Sequence, residues 1–453
     1  MSHKTRTQRL QAEDRRYLWH PFTQQRDWVQ TAPLIIERGQ GVYLYDSDGR
    51  RYLDGVSSIW VNLHGHRKGA LDRALTAQLK RIAHTTLLGL SNAPAIELAK
   101  RLVGIAPRGL TRVFYSDNGS TAVEVALKMA FQYWRLQGSA DKSKTKFLHL
   151  GQAYHGDTLG AVGVGGIPIF HERFKPLLRP SYEAHAPYCY RCPLGLTFPK
   201  CKVACADSVE DVLERHHDEI AALIVEPMLL AAGGMITMPP GYLTRLRKLC
   251  TRYRVLMIAD EVATGFGRTG RMFACEHEGI KPDLMAVSKG LTGGYLPLAA
   301  TLTTERIYRA FLGRYDEFRA FFHGHSYTGN PLGCAVALAN LEVFRKERTL
   351  ARLQPKIKTL GRLLAPFRAH QHVGDIRQLG LIVGIELVRN RGTKAPYPLA
   401  ERVGMRVADE AKKLGLLLRP LGNVIVLMPP LSTTIPELRR MAGIVTKAIR
   451  AVT

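Results

Sequence analysis

The run Val255-Leu-Met-Ile-Ala-Asp-Glu261 is short, apolar and ends abruptly in two acidic residues. An apolar run of this length is typical of a strand that is buried on both faces of a sheet. A second such run, 284–288, is followed directly by Lys289. Since ligands of open α/β sheets bind beyond the carboxyl ends of the strands, the sequence predicts that Asp260 and Lys289 meet at one edge of a sheet.

Further apolar runs indicate more strands of the same sheet. They lie near residues 112, 146 and 223 and alternate with helical patterns. This order is typical of an α/β fold with a mostly parallel, doubly wound sheet and helices on both faces.

The chain is expected to divide into a large and a small domain. Residues 71–335 are predicted to form the large domain around the parallel sheet, and residues 336–453 a smaller α+β domain. Residues 1–70 are expected to form an N-terminal segment that joins the small domain.

Local signals predict several elements outside the sheet. Asp48-Gly49 lies between two short apolar runs, which is the pattern of a β-hairpin. The segment 57–66 is expected to be a loop. In the small domain, strands are predicted at 379–387 and 424–428.

The charge of the chain is strongly basic. It has 64 Lys and Arg against 38 Asp and Glu, a formal net charge of +26 over 453 residues. The basic residues are scattered and no nucleic-acid-binding motif accompanies them, so nucleic acid is not expected as a partner. No apolar run approaches about 18 residues, and the first residues lack the apolar core of a signal peptide. A cytoplasmic protein without a membrane segment is therefore expected.

Asp260 and Lys289 are the pair of groups that pyridoxal 5'-phosphate requires. A carboxylate beside the pyridine nitrogen keeps that nitrogen protonated, and a lysine amine forms a Schiff base with the aldehyde. Taken singly, each residue is equally explained as a helix cap or a surface side chain. The combination at one sheet edge favours the cofactor.

A phosphate site is predicted where the strand at 112–116 leads into a helix. Free N–H groups of a helix N-terminus, together with the Ser120 hydroxyl behind Gly119, can bind a phosphate. Thr121 and Glu124 match a capping box, which predicts that Thr121 caps this helix. The turn is also explained as a cap without a ligand.

Longer motifs resemble those of class III aminotransferases, which are fold-type I pyridoxal-phosphate enzymes. The motifs are Asp260-Glu-Val-Ala-Thr-Gly-Phe-Gly-Arg-Thr-Gly270 and Ser288-Lys-Gly-Leu-Thr-Gly-Gly-Tyr-Leu-Pro297. The resemblance implies that Asp260 pairs with the ring nitrogen and that Lys289 holds the cofactor covalently.

The same resemblance assigns further positions around the cofactor. It implies that Gly119 and Ser120 hold the phosphate and that Tyr154, in a Tyr-His-Gly motif, covers the pyridine ring. The segment Gly324-His325-Ser326 is implied to cross a homodimer interface and reach the partner's phosphate, with His325 in place of the family's usual Pro or Ser. Trp60 is either a core residue or a wall of the substrate pocket. Arg419 is implied to hold a substrate carboxylate, as a guanidinium does through two hydrogen bonds.

Within the family, the chain resembles the members that act in biotin biosynthesis. The matching segments are Trp19-His-Pro-Phe-Thr-Gln24, Ser57-Ser-Ile-Trp-Val-Asn-Leu-His-Gly-His66 and Arg419-Pro-Leu-Gly-Asn423. Such enzymes aminate 8-amino-7-oxononanoate to 7,8-diaminononanoate, with S-adenosylmethionine as the usual amino donor.

Two positions depart from that pattern. Relatives that use S-adenosylmethionine commonly have Tyr at the position of Phe22 and Trp at the position of Ile59, so lysine is the alternative donor. Phe22 is nevertheless predicted to belong to the catalytic group with Lys289 and Asp260. The substrate is expected to contact Trp60, Tyr154, Lys289, Gly324 and Arg419.

Four cysteines lie close together in sequence, at Cys189, Cys192, Cys201 and Cys205. Their spacing resembles that of a structural zinc or iron–sulfur site, with reduced thiols as the alternative. Amino transfer requires no metal, and none is predicted for the reaction. Other functions remain open: another ω-amino-acid aminotransferase, an aminomutase, or a basic protein that binds metal or nucleic acid.

Overall fold

The computed structural model describes residues 5–138 and 141–453. The strands are β1 (Ile36–Gln40), β2 (Tyr43–Asp46), β3 (Arg51–Asp54), β4 (Leu110–Ser116), β5 (Lys146–Leu150), β6 (Tyr182–Ala184), β7 (Ile220–Val225), β8 (Leu229–Leu230), β9 (Ile236–Thr237), β10 (Leu256–Asp260), β11 (Leu284–Val287), β12 (Ala299–Thr304), β13 (Val373–Leu379), β14 (Ile382–Asn390), β15 (Ala395–Pro396), β16 (Leu416–Leu417) and β17 (Val424–Leu427).

The helices alternate with these strands through most of the chain. They are α1 (Arg6–Tyr17), α2 (Gln25–Trp28), α3 (Ser57–Trp60), α4 (Gly69–Leu79), α5 (Ala93–Ile105), α6 (Gly119–Arg135), α7 (Leu159–Val162), α8 (Pro168–His171), α9 (Asp207–His216), α10 (Tyr242–Arg252), α11 (Glu305–Ala310), α12 (Pro331–Lys346), α13 (Thr349–Leu364), α14 (Val403–Lys413) and α15 (Ile435–Val452). Within the described residues, no helix has both the length and the apolar character that a bilayer crossing needs.

A seven-stranded sheet organises the larger part of the chain. Its strand order is β4-β12-β11-β10-β7-β5-β6. From β11 through β10, β7 and β5 to β6, each neighbouring pair of strands is parallel. Strand β12 runs antiparallel to both of its neighbours, β11 and β4. The predicted α/β fold with a mostly parallel sheet is confirmed, and the prediction lacked the antiparallel strand β12 and the edge strand β6.

The centre of this sheet is buried on both faces, as its apolar sequence predicted. Every residue of β10 is buried. Met257 and Ala259 pack in one hydrophobic cluster, while Leu256 and Ile258 pack in another that includes helix α6. Because alternate residues of a strand point to opposite faces, two separate cores lie above and below the same strand.

A second, antiparallel sheet lies in the C-terminal part, where the strand predicted at 379–387 is present as β14 (Ile382–Asn390) with shifted bounds, and the preceding strand β13 was not predicted. Strands β13 and β14 form a hairpin that turns between Leu379 and Ile382. Gly380 has φ +62°, a conformation that favours glycine. Because apolar residues lie on both sides of Gly380, the sequence pattern predicted one continuous strand and did not reveal the turn. The strand predicted at 424–428 is confirmed as β17, which pairs with β14.

The N-terminal segment is tied to the C-terminal part through a strand pair. The predicted hairpin around Asp48-Gly49 is confirmed as β2 and β3. Strand β3 then pairs in parallel with β16, with Leu53 opposite Leu416. This pair places the segment that follows β3 beside the end of the large sheet.

That following segment differs from the loop that was predicted. Residues 57–60 form a short helical turn in which Ser57, Ser58, Ile59 and Trp60 have φ of +51°, +48°, +65° and +67°. The left-handed region costs non-glycine residues roughly 1–2 kcal/mol each. Surrounding contacts must therefore hold this turn, which we call the left-handed turn.

The cap of helix α6 also differs from the prediction. Asn118, and not Thr121, is the N-cap: its side chain accepts from the Thr121 N–H, and the Thr121 hydroxyl closes the capping box in return. Glu124 instead accepts hydrogen bonds from the N–H groups of Gly160 and Ala161. The cap and the start of the helix thus lie three residues earlier than predicted, and Gly119 and Ser120 occupy its first turn.

Candidate active site

Asp260 lies at the carboxyl end of β10 and is buried. Its Oδ2 lies 2.7 Å from Nδ1 of His155, and its Oδ1 accepts from the Val262 N–H at 3.0 Å. Both side chains are almost inaccessible to solvent, and His155 Nε2 has no hydrogen-bond partner within the described residues. The imidazole therefore orients one oxygen of the carboxylate while its own second nitrogen stays available in the cavity wall.

Lys289 follows β11, the strand next to β10, as the apolar runs predicted. It is half-buried, has φ +44°, and its Nζ lies 5.0 Å from the ring centroid of Trp60. Burial lowers the pKa of the Lys289 amine, and the Arg268 charge acts in the same direction, whereas Asp260 and Glu226 oppose the shift. The lowered pKa raises the fraction of amine that is free to act as a nucleophile or base.

Glu226 supplies a second buried carboxyl group at this edge, beyond the end of β7. It accepts hydrogen bonds from the N–H groups of Tyr154 at 3.1 Å and Ala231 at 2.9 Å. Burial raises the pKa of Glu226 to about 7, and the nearby Asp260 adds to this effect. The site therefore contains two buried carboxyl groups, Asp260 and Glu226.

The far end of the cavity is formed by the first turn of α6. Within the described residues, the N–H groups of Gly119 and Ser120 have no acceptor, because the Asn118 cap binds only the N–H of Thr121. The Ser120 hydroxyl accepts from the Asp157 N–H at 3.2 Å. A Cβ on Gly156, where φ is +128°, would overlap the Ser120 side chain. Free amides and a hydroxyl at a helix N-terminus can bind a phosphate group.

Tyr154 and Trp60 line the cavity, and two further aromatic side chains pack behind Tyr154. The ring of Tyr154 packs edge-on against Phe170, and Phe170 packs in the same way against Phe22, with centroids 5.6 Å and 5.5 Å apart. The Tyr154 hydroxyl donates to Asp157 at 2.7 Å. Trp60 also lines the cavity, and its buried Nε1 has no partner within the described residues.

Together these residues enclose a cavity of about 640 Å³. One end offers a buried carboxylate and an amine, and the other offers free amides and a hydroxyl. Pyridoxal phosphate has a basic ring nitrogen, an aldehyde and a phosphate, and these three groups match the three parts of the cavity. The residues present therefore fit the cofactor.

Some predicted site residues lie outside the walls of this cavity in the single chain. Gly324 and Ser326 are exposed, and His325 Nδ1 lies 2.9 Å from the Asp117 carboxylate beside the α6 turn. Phe22 is 59% exposed and reaches the cavity only through Phe170. Arg419 is exposed and makes no ion pair within the described part of the chain. The roles predicted for these residues stay predictions.

Sequence reasoning missed one residue that lines the cavity, His155, and one that lies behind its wall, Arg268. His155 follows Tyr154 in the Tyr-His-Gly motif, but its contact with Asp260 joins residues 105 positions apart. Arg268 lies in a glycine-rich loop and is fully buried. Both residues lie inside quoted motifs, which is a signal of interest, but neither motif shows what its His or Arg contacts.

The cysteine segment lies apart from this cavity. Cys189, Cys192, Cys201 and Cys205 are all free thiols. Over residues 5–138 and 141–453, no group of three or more His, Cys, Asp or Glu side chains is arranged to hold a metal ion. Burial raises the pKa of the Cys205 thiol to about 12, and the three neighbouring thiols add to the shift.

Comparison with known proteins identifies one family along nearly the whole chain. The family model described as aminotransferase class III matches residues 24–449. An adenosylmethionine-8-amino-7-oxononanoate aminotransferase from Geobacter sulfurreducens is 55% identical over 448 residues, which cover 99% of this chain and 98% of that protein.

Solved structures agree with the sequence comparison. The crystal structure of adenosylmethionine-8-amino-7-oxononanoate aminotransferase from Methanocaldococcus jannaschii superposes with a TM-score of 0.93 at 46% identity, covering 98% of this chain and 99% of that one. The omega transaminase from Pseudomonas jessenii in complex with PMP superposes with a TM-score of 0.94 at 33% identity, covering 98% of both chains.

Proposed function

The chain belongs to the class III aminotransferases, which are pyridoxal-phosphate enzymes, and from this premise we propose that it aminates 8-amino-7-oxononanoate. The product is 7,8-diaminononanoate, an intermediate of biotin biosynthesis, and the amino donor is S-adenosylmethionine. The observation that carries the proposal is the 55% identity over 99% of the chain to a relative named for this reaction.

The chemistry centres on Lys289 and Asp260. When bound, pyridoxal phosphate supplies an electrophilic carbon and an electron-accepting ring, which no side chain can provide. Asp260 holds the proton of the ring nitrogen, and His155 keeps the carboxylate oriented. The Lys289 Nζ holds the cofactor and then moves a proton from the amine-bearing carbon of the donor, a role that its lowered pKa favours.

The remaining site residues bind and orient. The amides of Gly119 and Ser120 and the Ser120 hydroxyl hold the phosphate, while Tyr154 covers the ring face. Trp60 and Gly324 contact the substrate, and Arg419 holds a substrate carboxylate; its side chain is exposed and makes no ion pair within the described chain, so it is free to bind one.

The proposal includes a homodimer whose two sites are shared. His325 and Ser326 are the residues that one protomer contributes near the partner's phosphate. The exposure of Ser326 supports this, as do large apolar side chains exposed on the same segment, Phe322 at 73% and Tyr327 at 62%.

The proposal also includes the division into domains. Residues 71–335 form the large domain and residues 336–453 the small domain of each protomer, and residues 1–70 join the small one. The proposed location is the cytoplasm.

The amino donor is the finer part of the proposal. S-adenosylmethionine carries a sulfonium and an adenine ring, and both bind well to aromatic faces. The row Phe22, Phe170 and Tyr154 offers such faces. Phe22 and Ile59 lack the hydroxyl and the large ring of S-adenosylmethionine-dependent relatives, and this favours lysine as the second candidate.

A direct assay tests both the proposed amino acceptor and the proposed amino donor. Purified protein would be incubated with 8-amino-7-oxononanoate and either donor, and diaminononanoate would be measured by mass spectrometry, with Lys289→Ala as the inactive control. Product with S-adenosylmethionine supports the full proposal. Product with lysine alone overturns the donor and keeps the acceptor. Turnover only with unrelated ω-amino acids would contradict the proposed function.

A further inference from the structure

We propose that Arg268 is a positioning residue whose buried guanidinium holds the left-handed turn 57–60 in place and thereby fixes Trp60 over the Lys289 amine. Arg268 lies in the loop that follows β10 and touches neither the cavity nor the reacting groups. It acts through the residues that it binds.

The guanidinium makes three hydrogen bonds around the left-handed turn. Nη1 donates to the Ser57 hydroxyl at 3.1 Å and to the Pro429 carbonyl at 2.9 Å, and Nη2 donates to the Asn62 carbonyl at 2.9 Å. Ser57 begins the turn and Asn62 follows its end. The Ser57 hydroxyl in turn donates to the Met428 carbonyl at 2.7 Å. One side chain thus fastens both ends of the turn to the C-terminal part of the chain.

The groups that accept hydrogen bonds from Arg268 are neutral, which is unusual for a buried arginine. Arg268 is 1% exposed, and none of its hydrogen bonds within the described residues goes to a carboxylate. Burial lowers its pKa to about 9, and Asp54 only partly opposes the shift. A buried charge without an ion-pair partner is unfavourable for stability alone. A role in holding the strained turn accounts for its presence.

Asp54 holds the same turn from the other side. Its carboxylate accepts from the Ser58 N–H at 2.9 Å and from the Ser58 hydroxyl at 2.8 Å, and it lies 3.1 Å from His66 Nε2. The turn is therefore bound between a buried cation and a buried anion. This arrangement explains how four consecutive residues without glycine keep positive φ values.

The position of the turn matters for the amine. Trp60 is the last residue of the turn, and its ring centroid lies 5.0 Å from Lys289 Nζ. The charged groups that act on Lys289 are Asp260, Glu226 and Arg268. Arg268 thus acts on the amine in two ways: it places the Trp60 ring, and its charge favours the neutral amine.

Two variants separate these effects, with a matched control. Arg268→Lys keeps the charge but offers one nitrogen where the guanidinium uses Nη1 and Nη2 to bind both ends of the turn, whereas Arg268→Gln removes the charge as well. Arg377→Gln is the control, because Arg377 is also a buried arginine, yet it pairs with Glu386 and does not act on Lys289. The measurements are oxidation of Trp60 by N-bromosuccinimide and the pH midpoint of Lys289 modification, both mapped by mass spectrometry in cofactor-free full-length protein.

Both Arg268 variants are expected to oxidise faster at Trp60, while Trp134, which is equally buried, serves as the internal reference. The Lys289 midpoint should move to higher pH in Arg268→Gln and much less in Arg268→Lys. In the holoenzyme, KM for the acceptor should rise about tenfold or more in both.

Arg377→Gln should leave Trp60 protected and the midpoint unchanged. Equal protection of Trp60 in the Arg268 variants and the unmodified protein would overturn the proposal, as would equal exposure in the Arg377 control. A midpoint in Arg268→Gln identical to that in Arg268→Lys would overturn the effect of charge. The first two readouts need no substrate, so they stand even if the proposed reaction is wrong.

Discussion

Nδ1 of His155 lies 2.7 Å from Oδ2 of Asp260, and both side chains are almost fully buried. Removing a hydrogen bond to a charged group costs about 1.5–3 kcal/mol. His155→Ala should therefore reduce kcat/KM roughly tenfold to a hundredfold, with the cofactor still bound. The control is His149→Asn, since His149 is equally buried but bonds Ser181 and not Asp260. Equal losses in the two variants would show that His155 acts only on stability.

Lys289→Ala should abolish turnover, because its Nζ both holds the cofactor and moves the proton. Loss of the general base alone is expected to cost on the order of 10²–10⁴ in kcat. Steady-state assays and the visible absorbance of the bound cofactor measure the two effects separately. A variant with near-normal turnover would contradict the role of Lys289.

Asp260→Asn should bind the cofactor and lose most activity. An amide cannot stabilise a protonated ring nitrogen as a carboxylate does. The cofactor content is measured by absorbance after dialysis, and turnover by the diaminononanoate assay. Full activity in this variant would mean that another group serves the ring nitrogen, with Glu226 as an alternative carboxyl group that lines the cavity.

The buried carboxyl group of Glu226 predicts a pH dependence of stability. Burial raises its pKa from 4.5 to about 7. Below pH 4.5 the group is protonated in both states and has no effect. Between pH 4.5 and 7 the unfolded state ionises first, so the folded state loses stability as pH rises, by an amount on the order of 3 kcal/mol. Urea unfolding of the cofactor-free protein at several pH values measures this loss.

Glu226→Gln cannot ionise, so it should unfold with a flatter pH profile than the unmodified protein. The difference between the two proteins should grow from pH 4.5 to 7 and then stay constant. Parallel profiles over this range would show that the carboxyl group is already ionised in the folded state.

Shared sites predict complementation between two inactive chains. Lys289→Ala and Ser326→Asp would each be inactive alone, and mixed dimers would contain one site with both residues intact. Random exchange should restore about a quarter of the full activity, because half of the dimers are mixed and each has one working site. Activity measured after co-refolding tests this. An active monomer in sedimentation would rule out the shared site.

The sequence predicted the centre of the site well, because Asp260 and Lys289 follow local runs of apolar residues that need no tertiary information. Strand β12 was missed, since Ala299-Ala-Thr-Leu-Thr-Thr304 contains three threonines and only one large apolar side chain. The left-handed turn could not be predicted, because its residues are Ser, Ser, Ile and Trp and none is a glycine. The contact of His155 with Asp260 depends on the order of strands in the sheet, which single-sequence patterns do not give.

The pairing of Leu53 with Leu416 and the bond from Arg268 to the Pro429 carbonyl also bear on how the protein is made. The ribosome delivers the large parallel sheet, with Asp260 and Lys289, well before it delivers either of these C-terminal partners. Contacts between residues so far apart in the chain form late and slowly. The wall that Trp60 provides is therefore completed only after synthesis has nearly ended, and a nascent chain carries the amine and the carboxylate before it has an enclosed cavity around them.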